Sequence, residues 1–304
     1  MSVQQKHAPV DRGRVRGGIG TVEPFHHPPQ NLTKSHNSVD SMCVCVQNDR
    51  MDDDSEILQG GNVGGSVVRV GATVHKQLTP ASPGVHPFLR WLNLHRYQGA
   101  PRLYGRSPDG RYQVLEYVPG TMADRLPPLT ETELHQVGAL IRSLHDLSAR
   151  YPERVEPVWE PVIPPRFTEL VCHNDLAPWN LVRGEERWVF IDWDAAGLGN
   201  RMEDLGYAAH GFVPLHPGGD PVRDARRLRV LADGYGCDLL QRRDLPEATL
   251  HKVRGMFWLL EEGARTGCQP WARLHAEGHA DHWGPAASYV AEHLETWRAA
   301  LTRG

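Results

Sequence analysis

Val171-Cys172-His173-Asn174-Asp175-Leu176-Ala177-Pro178-Trp179-Asn180, then Phe190-Ile191-Asp192-Trp193-Asp194, is the stretch on which the reading of this chain turns. It holds an Asp, an Asn five positions later, and a second Asp at the end of a following apolar run. Phosphoryl transfer needs such a set: one carboxylate to orient an attacking hydroxyl, and an amide oxygen plus a carboxylate to hold a divalent cation on nucleotide phosphates.

Asp175 is the expected catalytic base, accepting a hydrogen bond from the acceptor hydroxyl and aiming its oxygen at the γ-phosphorus. Pro178 bars a regular helix and keeps Asn180 on an irregular loop. Asn180 offers a neutral oxygen and Asp192 an anionic one, a pair suited to Mg2+, a hard cation that keeps several waters. Arg187-Trp188-Val189-Phe190-Ile191 is apolar enough to be a buried strand delivering Asp192. Asp194, two residues on, shares a face with Asp192 in an extended segment and is either a second metal contact or a loop cap. His173 belongs to the catalytic segment, either as a hydrogen-bonding brace of the loop or as a proton carrier.

Upstream, strand-like runs alternate with glycines. Gly60, Gly61, Gly64, Gly65 and Ser66 form a hairpin tip whose amides would approach phosphates, though no P-loop Lys-Ser or Lys-Thr follows. Val67–Val70 and Thr73–Leu78 read as a strand pair around Gly71-Ala72, and Lys76 on the returning strand is the expected cation for the α- and β-phosphates. Pro87 opens a short helix, and Arg102–Gly105 with Tyr112–Val118 make another strand pair. Downstream of Pro119-Gly120 the texture is helical. Thr130 caps a helix over 131–148, and further helices are expected over 202–211, 221–235, 246–266 and 284–302, with Gly255–Leu260 in the core.

The expected division is therefore a disordered extension over 1–50, an N-lobe over 51–118 and a C-lobe over 119–304, with Met51 as a sensible native start. Charged residues make up 23% with a net charge of −4, which argues against a nucleic-acid surface. No apolar run approaches the roughly 18 residues of a membrane span. The five cysteines, an odd number without metal-type pairing, suggest free thiols in a reducing cytoplasm.

His173-Asn174-Asp175 with Asn180, Ile191-Asp192-Trp193-Asp194 and Asp204-Leu205-Gly206 resemble the aminoglycoside phosphotransferase family, which includes choline- and homoserine-kinase-like enzymes. The Asp-x4-Asn spacing is also that of the protein-kinase catalytic loop. The resemblance spans about residues 57 to 300, and the string from Gly60 to Gly71 resembles the bacterial branch named for trifolitoxin immunity. It implies an α+β, two-lobed protein-kinase-like fold: a small β-rich N-lobe, a larger mostly helical C-lobe, and the site in the cleft. It also implies ATP and Mg2+, with Asp175 as base, Asn180 and Asp192 as metal ligands and Lys76 as phosphate contact. Asp204 would brace the catalytic loop, and Glu116 to Val118 would meet the adenine through backbone groups. The partner expected is a small hydroxylated molecule.

Two departures stand out. Family members often have Gly where this chain has Asn174, and no acid occurs from Lys76 through Tyr104 to pair with the lysine from a helix. The expected activity is O-phosphotransfer, the alternative a catalytically weak kinase-fold protein that sequesters a small molecule or peptide. For a polycationic acceptor the available acids are Glu261, Glu262, Glu277 and Asp281.

Overall fold

A computed structural model of the chain describes residues 55–58, 67–152, 159 and 161–303. The extension over 1–50, Met51, and the glycine tip Gly60, Gly61, Gly64, Gly65 and Ser66 lie outside the described residues.

The β-branched run Val67–Val70 forms β2, which follows β1 (Ser55–Leu58) and turns through Gly71, at φ +57°, into β3 (Thr73–Gln77). After α1 (Ser82–Leu94) come β4 (Leu103–Arg106) and β5 (Tyr112–Glu116). These strands make one antiparallel sheet in the order β1-β2-β3-β5-β4. Lys76 stands opposite Gln113 in it. The helix α1 starts five residues before Pro87, where it was expected to begin. Its apolar stripe, Val85, Phe88, Leu89 and Leu92, already runs through that first turn and is fully buried. Pro87 removes only the bond to the Pro83 carbonyl.

Gly120, at φ +154°, lets the chain pass into the second lobe: a Cβ there would sit 2.6 Å from the Arg183 carbonyl oxygen. There β6 (Thr121–Met122) precedes α2 (Glu131–Ser148), which opens on a Thr130/Glu133 capping box and buries Leu134, Val137, Ile141 and Leu144. Short strands β7 (Leu170–Cys172), β8 (Leu181–Arg183), β9 (Trp188–Phe190) and β10 (Gly197–Gly199) carry the motif residues between them. They pair as β6-β8-β9 and β7-β10.

Helices α3 (Arg201–Phe212), α4 (Pro221–Tyr235), α5 (Leu239–Thr266), α6 (Trp271–Ala276) and α7 (His279–Thr302) complete the chain. Two of these start several residues before the expected position. Capping by Asp238 and Gln241 starts α5 ahead of Pro246, and α7 begins six residues before Pro285. In the stretch from Gly255 to Leu260, Leu260 lies in an apolar cluster with Tyr207, Val253 and Trp283, Met256 and Phe257 pack against that cluster as expected of a core segment, and Trp258 is exposed. Phe190 and Trp193 belong to the same apolar cluster as α2 and α4, which ties the motif strands to the main core. No helix among the described residues is long and apolar enough to cross a membrane, and Cys172, Cys237 and Cys268 are free.

Candidate active site

Asp175 leaves β7 on a loop that its neighbours hold rigidly. His173 is fully buried; its Nδ1 accepts from the Asp175 amide at 3.3 Å while its Nε2 faces the Ile191 carbonyl at 3.1 Å. Those two partners define a neutral ring that donates from Nε2, and burial holds its pKa below the ordinary range. With both nitrogens engaged, His173 is placed as a brace.

Asn174 has φ +64°, a left-handed conformation that Asn tolerates better than most residues, so it can stand where Gly is frequent. Its amide group spans to the Ala195 and Gly197 carbonyls.

A buried carboxylate anchors this loop from α3. Asp204 accepts from the backbone amides of His173 (3.1 Å) and Asn174 (2.8 Å) and from His145 Nε2 (3.0 Å). Burial works against its charge, but the hydrogen bond and charge of His145 prevail and hold its carboxyl below the usual carboxylate range. His145 in turn bonds the Tyr235 hydroxyl at 2.8 Å. His145, Cys172 and Asp204 bring donor atoms within 4.8 Å of one another. Asp204 is already engaged by three donors and burial pushes the Cys172 thiol up, so this group is a brace rather than a metal centre.

Asn180 ends a 3₁₀ turn begun by Pro178, and its Nδ2 donates to the Asp175 carboxylate at 2.7 Å and to the Asp175 carbonyl at 3.0 Å. The amide is thereby fixed with its Oδ1 on the side away from those oxygens. The register of β8 and β9 sets Asn180 beside Ile191, whose amide donates to the Asn180 carbonyl at 2.8 Å, so Asp192 follows one residue on. Asp192 is itself left-handed, at φ +60°, a strained conformation for a non-glycine residue of the kind that gathers at functional sites. The donor set, an amide oxygen and a carboxylate, fits a hard divalent cation.

Lys76 reaches this group from the first lobe. Its ammonium lies 2.5 Å from Asp192 Oδ1 and 3.0 Å from Asp194 Oδ2, although the residue is only 8% exposed. Burial disfavours the ammonium, yet the two carboxylates outweigh it and hold its pKa above that of an ordinary lysine. Burial likewise pushes the Asp175 carboxyl upward, assisted by Asp192 and opposed by His173, Tyr207 and Asn180.

The structure thus brings together Lys76, Asp175, Asn180, Asp192 and Asp194. Glu116 stands apart: its carboxylate accepts from the Arg102 amide at 2.9 Å and pairs with Arg187 at 2.6 Å. Val118 lies beyond the end of β5, half-buried.

Two residues went unread in the sequence. Tyr207, buried, directs its hydroxyl at the Asp175 carboxylate and stacks on Trp283 with ring centroids 6.0 Å apart. Lys252, 2% exposed, sets its ammonium 6.0 Å from the Tyr207 ring. Tyr207 lies three residues after Asp204, hence on the same face of α3, and that spacing was its one available signal.

Residues 149–245 match the model described as "Phosphotransferase enzyme family". A trifolitoxin immunity protein of Rhizobium leguminosarum bv. trifolii is 28% identical over 265 residues, covering 83% of this chain and 100% of that protein. A choline/ethanolamine kinase family protein from Mesorhizobium loti has a TM-score of 0.54 at 17% identity, covering 82% of this chain and 92% of its own. Amicoumacin kinase hAmiN, solved with AMP-PNP, Ca2+ and Ami, has a TM-score of 0.56 at 15% identity, covering 81% and 89%. At such identities the likeness is one of fold. The matched segment 149–245 contains His173 through Asp204, and the fold around it is kinase-like and two-lobed.

Proposed function

We propose that this protein transfers the γ-phosphoryl group of ATP, with Mg2+, to the hydroxyl of a small molecule. The observation that carries the proposal is the convergence of Lys76 on Asp192 and Asp194, beside an Asp175 held by Asn180. Asn180 and Asp192 would hold the cation, which when bound neutralises charge on the phosphates.

The chain's own residues do the rest. Asp175 takes the acceptor proton as the acceptor oxygen bonds phosphorus and the bond to the β-phosphate oxygen breaks, leaving ADP. A base whose pKa is raised by burial lies closer to the pH at which it works. Asn180 and Tyr207 hold the Asp175 carboxylate in place, and Lys76 faces the phosphates. Glu116 has its side chain committed to Arg187, so only backbone groups at 116–118 are offered to a base.

Three of the four acids expected for a polycation face basic side chains; Asp281 is the exception. Glu261 faces His275 at 3.2 Å, Glu262 pairs with Arg265, and Glu277 pairs with Arg273 at 2.9 Å. That pattern favours an acceptor of low positive charge.

The immunity relative supports a second reading, protection by binding without turnover. Calorimetric titration of ATP into the full chain, with magnesium and then with EDTA, separates the two. Metal-dependent binding that is lost in Asp192→Ala is expected. Absence of binding in both conditions would leave the second reading standing.

A further inference from the structure

Kinase lysines of this kind are positioned by an acid from the neighbouring helix, and α1 is the helix in that place. It packs over the turn Trp193–Ala195, with the Phe88 and Trp193 rings 6.0 Å apart. Its inward face carries Val85, Phe88, Leu89, Leu92 and one polar ring, His86, which is 5% exposed. His86 Nε2 meets Gln113 Oε1 at 3.2 Å. Gln113 is the cross-strand partner of Lys76, and such partners project from the same face with Cβ atoms about 4.5–5.5 Å apart. His86 therefore occupies the position from which a helix acid would reach Lys76.

We propose that Asp194 is the positioning carboxylate of Lys76, supplied from the metal-binding turn instead of from α1, where His86 stands in the acid's place. The inference rests on the phosphotransfer reading. Were a cation to engage Asp192, Asp194, 3.0 Å from the ammonium in this structure, would remain as the lysine's carboxylate partner. A chain lacking the helix acid can in this way retain the lysine–acid pair.

The test uses Asp194→Asn, Lys76→Met, their double variant, and His86→Glu alone and combined with Asp194→Asn, all in the full chain. In thermal unfolding without nucleotide, Asp194→Asn and Lys76→Met together should lower the midpoint by clearly less than the sum of their separate effects. In calorimetry with ATP and magnesium, Asp194→Asn should weaken binding by at least about tenfold. Adding His86→Glu should bring affinity back to within about threefold of wild type. An acid restored on α1 cannot replace a metal ligand at position 194, so that recovery distinguishes positioning from coordination. Additive midpoints, unchanged affinity in Asp194→Asn, or absence of recovery with His86→Glu would each overturn the proposal. Should the wild type bind no nucleotide, the phosphotransfer reading fails, and the thermal cycle still decides whether Lys76 and Asp194 are coupled.

Discussion

Asp204→Ala should destabilise the protein by about 3–5 kcal/mol at neutral pH, since a buried donor left without its acceptor costs about 1–3 kcal/mol and this change strands three. The side chain is fully buried and accepts from two backbone amides and one imidazole, at 3.1, 2.8 and 3.0 Å. Bonds to a charged acceptor are worth about 1.5–3 kcal/mol each, but they share one carboxylate and do not add. Alanine leaves all three donors without a partner in a dry interior. For a domain of this size each kcal/mol lowers the melting point by about 2–4 °C, so a fall of roughly 6–20 °C is expected.

The pH dependence carries its own sign. A carboxyl held below its unfolded value of about 3.9 contributes stability that is complete above that pH and is lost as pH falls through the folded pKa. Wild type and variant should therefore differ by a constant amount from this group between about pH 5 and 8, and converge below about pH 4. Urea unfolding followed by circular dichroism across that range measures it. A difference under about 1 kcal/mol at pH 7, or a gap that widens on acidification, would refute the account of Asp204 as the anchor of the loop.

Asp175→Ala should cut turnover about 10²–10⁴-fold with folding intact, as removal of a general base does, measured by phosphoryl transfer once an acceptor is found, or by ATP hydrolysis. Tyr207→Phe removes one hydrogen-bonding group from the base, so turnover should fall about 3–10-fold while ATP affinity is unchanged; a matching loss of affinity would place Tyr207 elsewhere in the reaction. Gly138→Ala replaces glycine inside α2 by the best helix former, yet should cost about 1–3 kcal/mol in urea unfolding. The added Cβ would meet the Leu231 carbonyl oxygen at 2.4 Å and the Tyr235 amide at 2.7 Å, both backbone atoms that cannot step aside.

The parts of the site that could be read from sequence are those set by local spacing. Asp175 and Asn180 are joined by one 3₁₀ turn, and Asp192 follows a single hairpin strand, so their meeting requires nothing distant. The capping box of α2 was equally local. Proline misled the helix boundaries: Pro87 and Pro246 were taken as starts and the last helix was begun one residue before Pro285, whereas each proline lies inside a helix that begins earlier. The pairing of Lys76 with Asp192 and Asp194 joins positions more than a hundred residues apart, and no periodicity encodes it. The lack of an acid between Lys76 and Tyr104 was visible; that Asp192 and Asp194 reach the lysine instead depends on the folded chain.

Asp192 and Asp194 meet the Lys76 ammonium, and Asp175 stands close enough to Asp192 to feel its charge, so carboxylates gather here inside partly buried walls with a formal excess of negative charge. Like charges held together in low dielectric oppose folding, and water reaches them poorly. A hard divalent cation on Asn180 and Asp192 would cancel that excess, so stability itself should report it. At a cation concentration near one hundred times its dissociation constant the gain is about 2.7 kcal/mol, roughly 5–10 °C in the unfolding midpoint. Asp192→Asn lowers the excess and weakens the donor set together, and so should lose most of that response while its midpoint without metal stays near or above wild type. The comparison is made by thermal scans in EDTA and in millimolar magnesium or calcium. A midpoint indifferent to both ions, or an Asp192→Asn response equal to the wild type, would mean that the acids of this turn are balanced within the fold and were not gathered to hold a cation.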